Sequence, residues 1–248
     1  MLVASKQDLA GINIAKKCEK LGLKVHYIEE DILFAKELPE SNFYIFLSRH
    51  KSKSEKPCLT AHFPGIFSND TSMGGSPKEL GTAFPTLEKK YIRNLWKIKG
   101  EWNKKELEKY QIVLEATHHG PTHLKKPVMF VELGSSKDEW KDETAAELIA
   151  HAIKRTLNQN DYYLKHGIAF GGTHYPEKFT KILIKDVYSI GHIMPKYALQ
   201  FLDEEIFKQM INKSVEKVHY CLIDWKGTNK KEKIINLAKK FNLKVIKI

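Results

Sequence analysis

The stretch Leu2-Val3-Ala4-Ser5-Lys6-Gln7-Asp8-Leu9-Ala10-Gly11-Ile12-Asn13-Ile14-Ala15-Lys16-Lys17-Cys18-Glu19-Lys20-Leu21-Gly22-Leu23-Lys24-Val25-His26-Tyr27-Ile28 reads as a β-α-β unit. Leu2-Val3-Ala4 is a short apolar strand. Ser5 is the expected N-cap, with Asp8 three positions on in a capping-box-like spacing. Ile12, Ala15, Cys18 and Leu21 then recur at helical spacing, Gly22 closes the helix, and residues 23–28 form a second strand. The far end repeats the order, with strands at 218–223 and 243–248 around a helix at about 229–241. Between them, Phe43-Tyr44-Ile45-Phe46-Leu47, Ile112-Val113-Leu114, residues 128–133, Ile168-Ala169-Phe170 and Ile182-Leu183-Ile184 have strand length and apolarity. Residues 86–109 are helix-like. Ser136-Lys137-Asp138-Glu139 is a capping box opening a helix that carries Trp140, Ala145, Leu148, Ile149, Ala152, Ile153 and Leu157. Alternation of this kind implies an α/β fold on a mostly parallel, mixed sheet. Residues 48–86, punctuated by Pro57, Pro64, Gly65, Gly74, Gly75, Pro77, Gly81 and Pro85, form an irregular, loop-rich segment. Unstructured lengths of this size inside a compact domain are usually functional or disordered. Residues 1–248 are read as a single domain.

The composition supports a substantial core: 248 residues, 42% hydrophobic and 29% charged, with the charges mixed along the chain. Lys and Arg (41) exceed Asp and Glu (30) by 11, which biases the protein towards polyanionic partners. Cys18, Cys58 and Cys221 are odd in number and contain no C-x-x-C, against a disulfide framework or an all-cysteine zinc site. The N-terminus lacks a hydrophobic leader, and no apolar run approaches the roughly 20 residues that span a bilayer. A soluble, cytoplasmic protein is expected. P-loop, G-x-G-x-x-G and G-x-S-x-G motifs are absent, which disfavours ATP hydrolysis, dinucleotide binding and a serine-esterase design.

The chemistry concentrates in Ala116-Thr117-His118-His119-Gly120-Pro121-Thr122-His123, between two strands. Three imidazoles in one tight connection suit metal ligation, acid–base work or phosphate contact. The spacing is not the helical H-E-x-x-H pattern that would make zinc explicit. Glu132, near the end of the next strand, could ligate metal, orient a histidine or act as a base. In Gly171-Gly172-Thr173-His174-Tyr175, consecutive glycines after a strand allow close backbone approach, with Thr173 and His174 presented there. His192, beside Gly191, and His62, in Thr60-Ala61-His62-Phe63-Pro64-Gly65, are weaker candidates. His26, His151, His166 and His219 lie in regular elements and are read as structural. In open α/β sheets, sites gather beyond the carboxyl ends of strands, which is where residues 118–123, 174 and 50 would fall. Arg49, Lys51, Lys53 and Lys56 make a basic loop suited to phosphate contacts, as does Lys196. From Lys213 onward ten lysines face three acids, another possible basic face.

At these residues the sequence resembles the archaeal and plant type of D-aminoacyl-tRNA deacylase. The resemblance is carried by Leu59-Thr60-Ala61-His62-Phe63-Pro64-Gly65, Glu115-Ala116-Thr117-His118-His119-Gly120-Pro121-Thr122, Val131-Glu132-Leu133-Gly134-Ser135, Gly171-Gly172-Thr173-His174-Tyr175 and Gly191-His192. It implies hydrolysis of the ester joining a D-amino acid to the terminal ribose of tRNA by a zinc-dependent monomer. It also implies a three-layer, phosphorylase/hydrolase-like α/β fold, related in shape to bacterial peptidyl-tRNA hydrolase. The zinc ligands would come from His62, His118, His119, His123, Glu132, His174 and His192, and catalytic groups from His118, His119, Thr173 and His174. Because an aminoacyl ester is labile, positioning a water and polarising the carbonyl would suffice. The competing readings are a related peptidyl- or aminoacyl-ester hydrolase, a non-catalytic RNA-binding protein, and histidines that hold a purely structural zinc.

Overall fold

The computed structural model describes residues 1–160 and 163–248. The N-terminal unit forms as expected: β1 (Leu2–Ser5), α1 (Leu9–Lys20) and β2 (Val25–Ile28). The N-cap is Asp8, which accepts from the Gly11 amide, and not Ser5, which completes β1. The cap fell one turn later because Ser5 bonds the Glu30 carbonyl through its hydroxyl.

The remaining elements are β3 (Tyr44–Lys51), β4 (Cys58–His62), α2 (Pro85–Trp102), β5 (Gln111–Leu114), β6 (Val128–Ser135), α3 (Lys137–Trp140), α4 (Glu143–Leu157), β7 (Lys165–Phe170), α5 (Glu177–Lys185), β8 (Tyr188–Met194), α6 (Glu204–Asn212), β9 (Tyr220–Ile223), α7 (Lys231–Lys240) and β10 (Lys244–Lys247). Three expectations are corrected. Ile182-Leu183-Ile184 lies in helix α5, whose buried residues Phe179, Thr180 and Leu183 follow the helical period. The helix after the Ser136 capping box is two helices, broken where Asp142 caps α4 through the Ala145 amide. The loop-rich segment 48–86 contains a fully buried strand, β4.

The strands form two sheets. One has the order β2-β1-β3-β6-β4-β5 and the other β10-β9-β7-β8. All pairs are parallel except β4 with β6, so the six-stranded sheet is mixed and mostly parallel. One apolar cluster takes Ile45, Leu47, Leu59, Ala61 and Val131 from the first sheet, Ala169, Ile190 and Leu222 from the second, and the inner faces of α1, α2, α4 and α5. The opposite face of the four-stranded sheet packs on α6 and α7 through Phe170, Ile223, Phe207 and Ile234.

Strand residues alternate between faces. Leu59 and Ala61 of β4, Ile45 and Leu47 of β3, and Val131 of β6 face the helices. Phe46, His50, Thr60, His62, Phe130 and Glu132 therefore share the opposite face. Phe46 and Phe130 meet edge to face in a small apolar cluster there. That face carries the polar centre. Among the described residues no helix is long and apolar enough to cross a membrane, and the three cysteines are free and buried.

Candidate functional site

Glu115 follows directly on β5 and is buried, 2% exposed. Its two oxygens are surrounded by four imidazoles. Oε2 accepts from His174 Nε2 at 2.9 Å and lies 3.7 Å from His118 Nε2. Oε1 lies 3.1 Å from His50 Nδ1 and 3.8 Å from His62 Nδ1. His62 ends β4 and His50 is the penultimate residue of β3, while His118 and His174 come from the loops after β5 and β7. Burial alone would raise the Glu115 pKa, but the bond from His174 and the close approach of His50 outweigh it and hold the carboxyl well below its ordinary value.

The chain reaches this arrangement by leaving one sheet for the other. The Glu115 amide bonds Ala61 O in the first sheet, the Ala116 amide bonds His174 O, and the Thr117 amide bonds Ile193 O in β8. His119 then takes a left-handed backbone (φ 44), where histidine is enriched among non-glycine residues. Gly120 lies directly against the Gly74–Gly75 backbone, so any side chain at 120 would strike main-chain atoms. The irregular segment thus serves as the wall behind the His118-His119 loop, anchored by the bond from the Gly120 amide to Met73 O.

Hydrogen bonds assign the ring protons. His118 Nδ1 donates to Ala116 O at 2.8 Å, and His119 Nδ1 to Gly120 O at 2.8 Å. Both Nε2 atoms therefore carry bare lone pairs. His119 Nε2 faces His62 Nε2 at 3.0 Å. A neutral His62 has one proton for two neighbours. On Nε2 it satisfies His119 but leaves Nδ1 as a lone pair towards the Glu115 carboxylate; on Nδ1 it leaves two Nε2 lone pairs in opposition. His62 Nδ1 and Glu115 Oε1 are in fact both buried without a hydrogen-bond partner. Burial, with the neighbouring imidazoles, holds His62 and His118 well below their ordinary pKa, and burial lowers His119 to about 4. The centre has more buried acceptors than protons, a shortfall that a cation removes.

Three residue groups bring ligand atoms within 4.8 Å of one another: His62, His118 and His119; Glu115, His118 and His174; and His50, Glu115 and Glu132. Three imidazoles with an open position are a donor set suited to zinc. The third group is better described as a proton-holding array. His50 Nδ1 donates to Glu132 Oε2 at 3.1 Å, and its Nε2 meets the Tyr175 hydroxyl at 2.9 Å. Burial works against a charge on His50, but contacts with Cys58, Glu115 and Glu132 raise its pKa far above the ordinary value. Burial and the Glu115 charge raise Glu132 to about 8.

The structure gathers His62, His118, His119, Glu132 and His174 at this centre and places the other expected residues elsewhere. His123 is exposed and bonds Lys36 O. His192 is fully buried, with Nδ1 on Thr117 Oγ1 and Nε2 on Gly81 O and Lys213 O, so both nitrogens are engaged by the protein. Thr173 is exposed and donates to Tyr175 O, shaping the turn that presents His174. Gly171 and Gly172, both at positive φ, pack against the 224–227 turn and not an open ligand space. Arg49 and Lys51 belong to β3, not to a loop, and Arg49 is neutralised by Asp31 at 2.9 Å and Asp8 at 3.6 Å. Lys51, Lys53, Lys56 and Lys196 are exposed. Sequence reading did not single out Glu115, His50 as an inward-facing residue, or Tyr175. A carboxylate beginning the histidine motif, straight after an apolar strand, was the available signal for the first.

A groove of about 1470 Å³ opens beside the centre, lined by His50, Thr173 and Tyr175 and also by Trp96. The fold and this centre define an α/β protein with a buried histidine–carboxylate constellation of the kind hydrolases use. A family model described as D-aminoacyl-tRNA deacylase matches residues 38–246. The chain is 39% identical over 233 residues to a D-aminoacyl-tRNA deacylase of Methanococcus maripaludis, covering 92% of this chain and 90% of that one. It is 38% identical over 248 residues to one of Sulfurisphaera tokodaii, covering 98% and 96%. A crystal structure of a conserved protein of unknown function superimposes with a TM-score of 0.91 at 27% identity, covering 99% of this chain and 94% of the other. The chain belongs to the D-aminoacyl-tRNA deacylase family.

Proposed function

We propose that this protein hydrolyses the ester between a D-amino acid and the terminal ribose of tRNA, releasing free D-amino acid and tRNA, at the centre organised by Glu115. The observation that carries the site assignment is the buried surplus of acceptors around Glu115 and His62, beside partly open His118 and His174.

In this reading His62, His118 and His119 hold a zinc ion through ring nitrogens, consistent with the orphaned His62 Nδ1 and the facing lone pairs. Bound there, zinc would supply Lewis acidity to the ester carbonyl. His174 is the proton carrier. Its Nε2–H is fixed on Glu115, which sets the tautomer and stabilises the imidazolium, as a carboxylate does for the histidine of a hydrolytic triad. That leaves Nδ1 as the basic atom, 3.1 Å from the Tyr197 hydroxyl, an exposed group that a water can displace. The same imidazolium then returns its proton to the departing ribose oxygen. With His50 charged, its Nε2–H donates to the Tyr175 oxygen and leaves the Tyr175 proton free to point at the developing oxyanion. The reading takes the protein to be a monomer, and a tRNA substrate is consistent with activity in the cytoplasm.

The deciding experiment follows release of D-tyrosine and L-tyrosine from their charged tRNAs before and after chelation, with zinc restored. Release of the D-residue alone, lost on chelation and recovered with zinc, is expected. Failure to hydrolyse either ester overturns the proposal.

A further inference from the structure

The groove beside His50 and Tyr175 exceeds the roughly 300–1,000 Å³ of a typical small-molecule pocket. An aminoacyl group alone would leave most of it empty. Its walls are basic: Lys56, Lys97, Lys181 and Lys185 line it and are exposed. Glu101, Glu108 and Glu177 also line it, against six lysines in all, and Glu101 is already paired with Arg155 through two bonds of 3.0 and 2.8 Å. The same groove is lined by Trp96, which lies on α2 with 52% of its surface in solvent. Residues around it on the helix are buried: Ile92, Leu95 and Ile98 enter the main core. A large indole held by a rigid helix, open to water and flanked by lysines, offers a fixed face on which a planar group can stack. An aromatic face among ammonium groups matches single-stranded nucleic acid, whose bases stack while its phosphates pair with the lysines.

We infer that this groove seats the single-stranded 3′ end of the RNA, with Trp96 as the platform for an unpaired base and Lys97, Lys181 and Lys185 on the flanking phosphates. The inference rests on the deacylase reading for its direction: the 3′-terminal ester lies at the His50–Tyr175 end, and the preceding nucleotides run towards Trp96. This arrangement binds the shared, unpaired terminus of any tRNA, so the amino acid and the RNA are read by separate surfaces.

The test compares W96A, W96F and the double variant K181E/K185E with wild type on two esters: D-tyrosyl-tRNA and D-tyrosyl-adenosine, which lacks upstream nucleotides. In W96A, KM for the tRNA ester rises roughly 5- to 150-fold, the span of base–aromatic stacking, and this rise exceeds any change on the adenosine ester. W96F recovers most of the loss. The double variant weakens the tRNA ester more at low salt and flattens the salt dependence of KM. Equal effects on both esters, or an unchanged KM for the tRNA ester in W96A and the double variant, overturn the inference. Binding of an uncharged hairpin with an unpaired 3′ end, followed by tryptophan quenching, separates the two readings. Should wild type bind the hairpin through Trp96 yet hydrolyse neither ester, the groove stands and the deacylase reading falls. Should it hydrolyse the D-ester while W96A binds the hairpin as tightly as wild type, the deacylase reading stands and the groove falls.

Discussion

The Nε2 atoms of His62 and His119 face each other at 3.0 Å inside a buried centre, next to a carboxylate oxygen that receives no hydrogen bond. Two imidazole nitrogens at that distance need a proton or a cation between them. Supplying zinc at about 100 times its dissociation constant should stabilise the protein by about 2.7 kcal/mol. His62→Ala and His119→Ala should each abolish most of that increment while keeping a cooperative melt. Calorimetry with and without zinc checks it; equal stabilisation of the variants would place the ion elsewhere.

Glu115→Gln keeps the side-chain volume and removes the charge that His174 and His50 contact. By analogy with replacing the triad carboxylate by its amide, turnover should fall on the order of 10⁴-fold. The far-ultraviolet circular dichroism should not change. A loss below tenfold, measured in single turnover, would remove Glu115 from the chemistry.

His192 sets a pH limit on stability. Burial lowers its pKa to about 4, from an unfolded value of about 6.5. Between these values the unfolded chain binds a proton that the native chain does not, so stability falls as pH drops from about 6.5 to 4. This residue alone accounts for on the order of 3 kcal/mol across that window. Denaturant melts at several pH values should show a shallower decline for His192→Asn, which is less stable at pH 7 but has no proton to gain.

Lys89 on α2 donates from one buried ammonium to Leu183 O, Asp186 O and Tyr188 O, at 2.9, 2.7 and 2.7 Å. It closes the C-terminal end of α5 and ties α2 to the second sheet. Lys89→Ala strands three carbonyls and opens a cavity, and should cost about 3 kcal/mol in urea unfolding. His123→Ala, an exposed site, should leave both stability and turnover within about twofold; a large kinetic loss would contradict its placement outside the centre.

The two terminal β-α-β units were legible because helix and strand periods alternate cleanly over residues 2–28 and 218–248. Ile182-Leu183-Ile184 misled because β-branched, apolar triplets read as strand, while the turn-by-turn burial of Phe179, Thr180 and Leu183 decides for helix. Strand β4 was hidden among prolines and glycines: it is held by pairing with β5 and β6, partners about 50 and 70 residues away, which no local pattern reports. The histidine motif marked the centre, and His62, His118, His119, Glu132 and His174 do converge there. The density of imidazole could not show that His123 turns outward and His192 inward to backbone carbonyls. Nor could it show His50 facing in, since β3 continues to Lys51, four residues past the apolar run that ends at Leu47.

The strand-to-strand crossing at residues 115–117 has a consequence for biosynthesis. His174 is delivered by the loop after β7, and the Thr117 amide is bonded to Ile193 of β8. β7 is itself flanked by β9, which ends at Ile223. A growing chain can assemble the His50, His62 and Glu132 strands early, yet His174 is missing until much later in synthesis. At roughly 5–20 residues per second, the nascent polypeptide spends several seconds with these strands made and the fourth imidazole around Glu115 still missing. The Glu115 centre is therefore completed only after β7, β8 and β9 have been made and paired, so a chain broken off before them keeps its first sheet and lacks the centre.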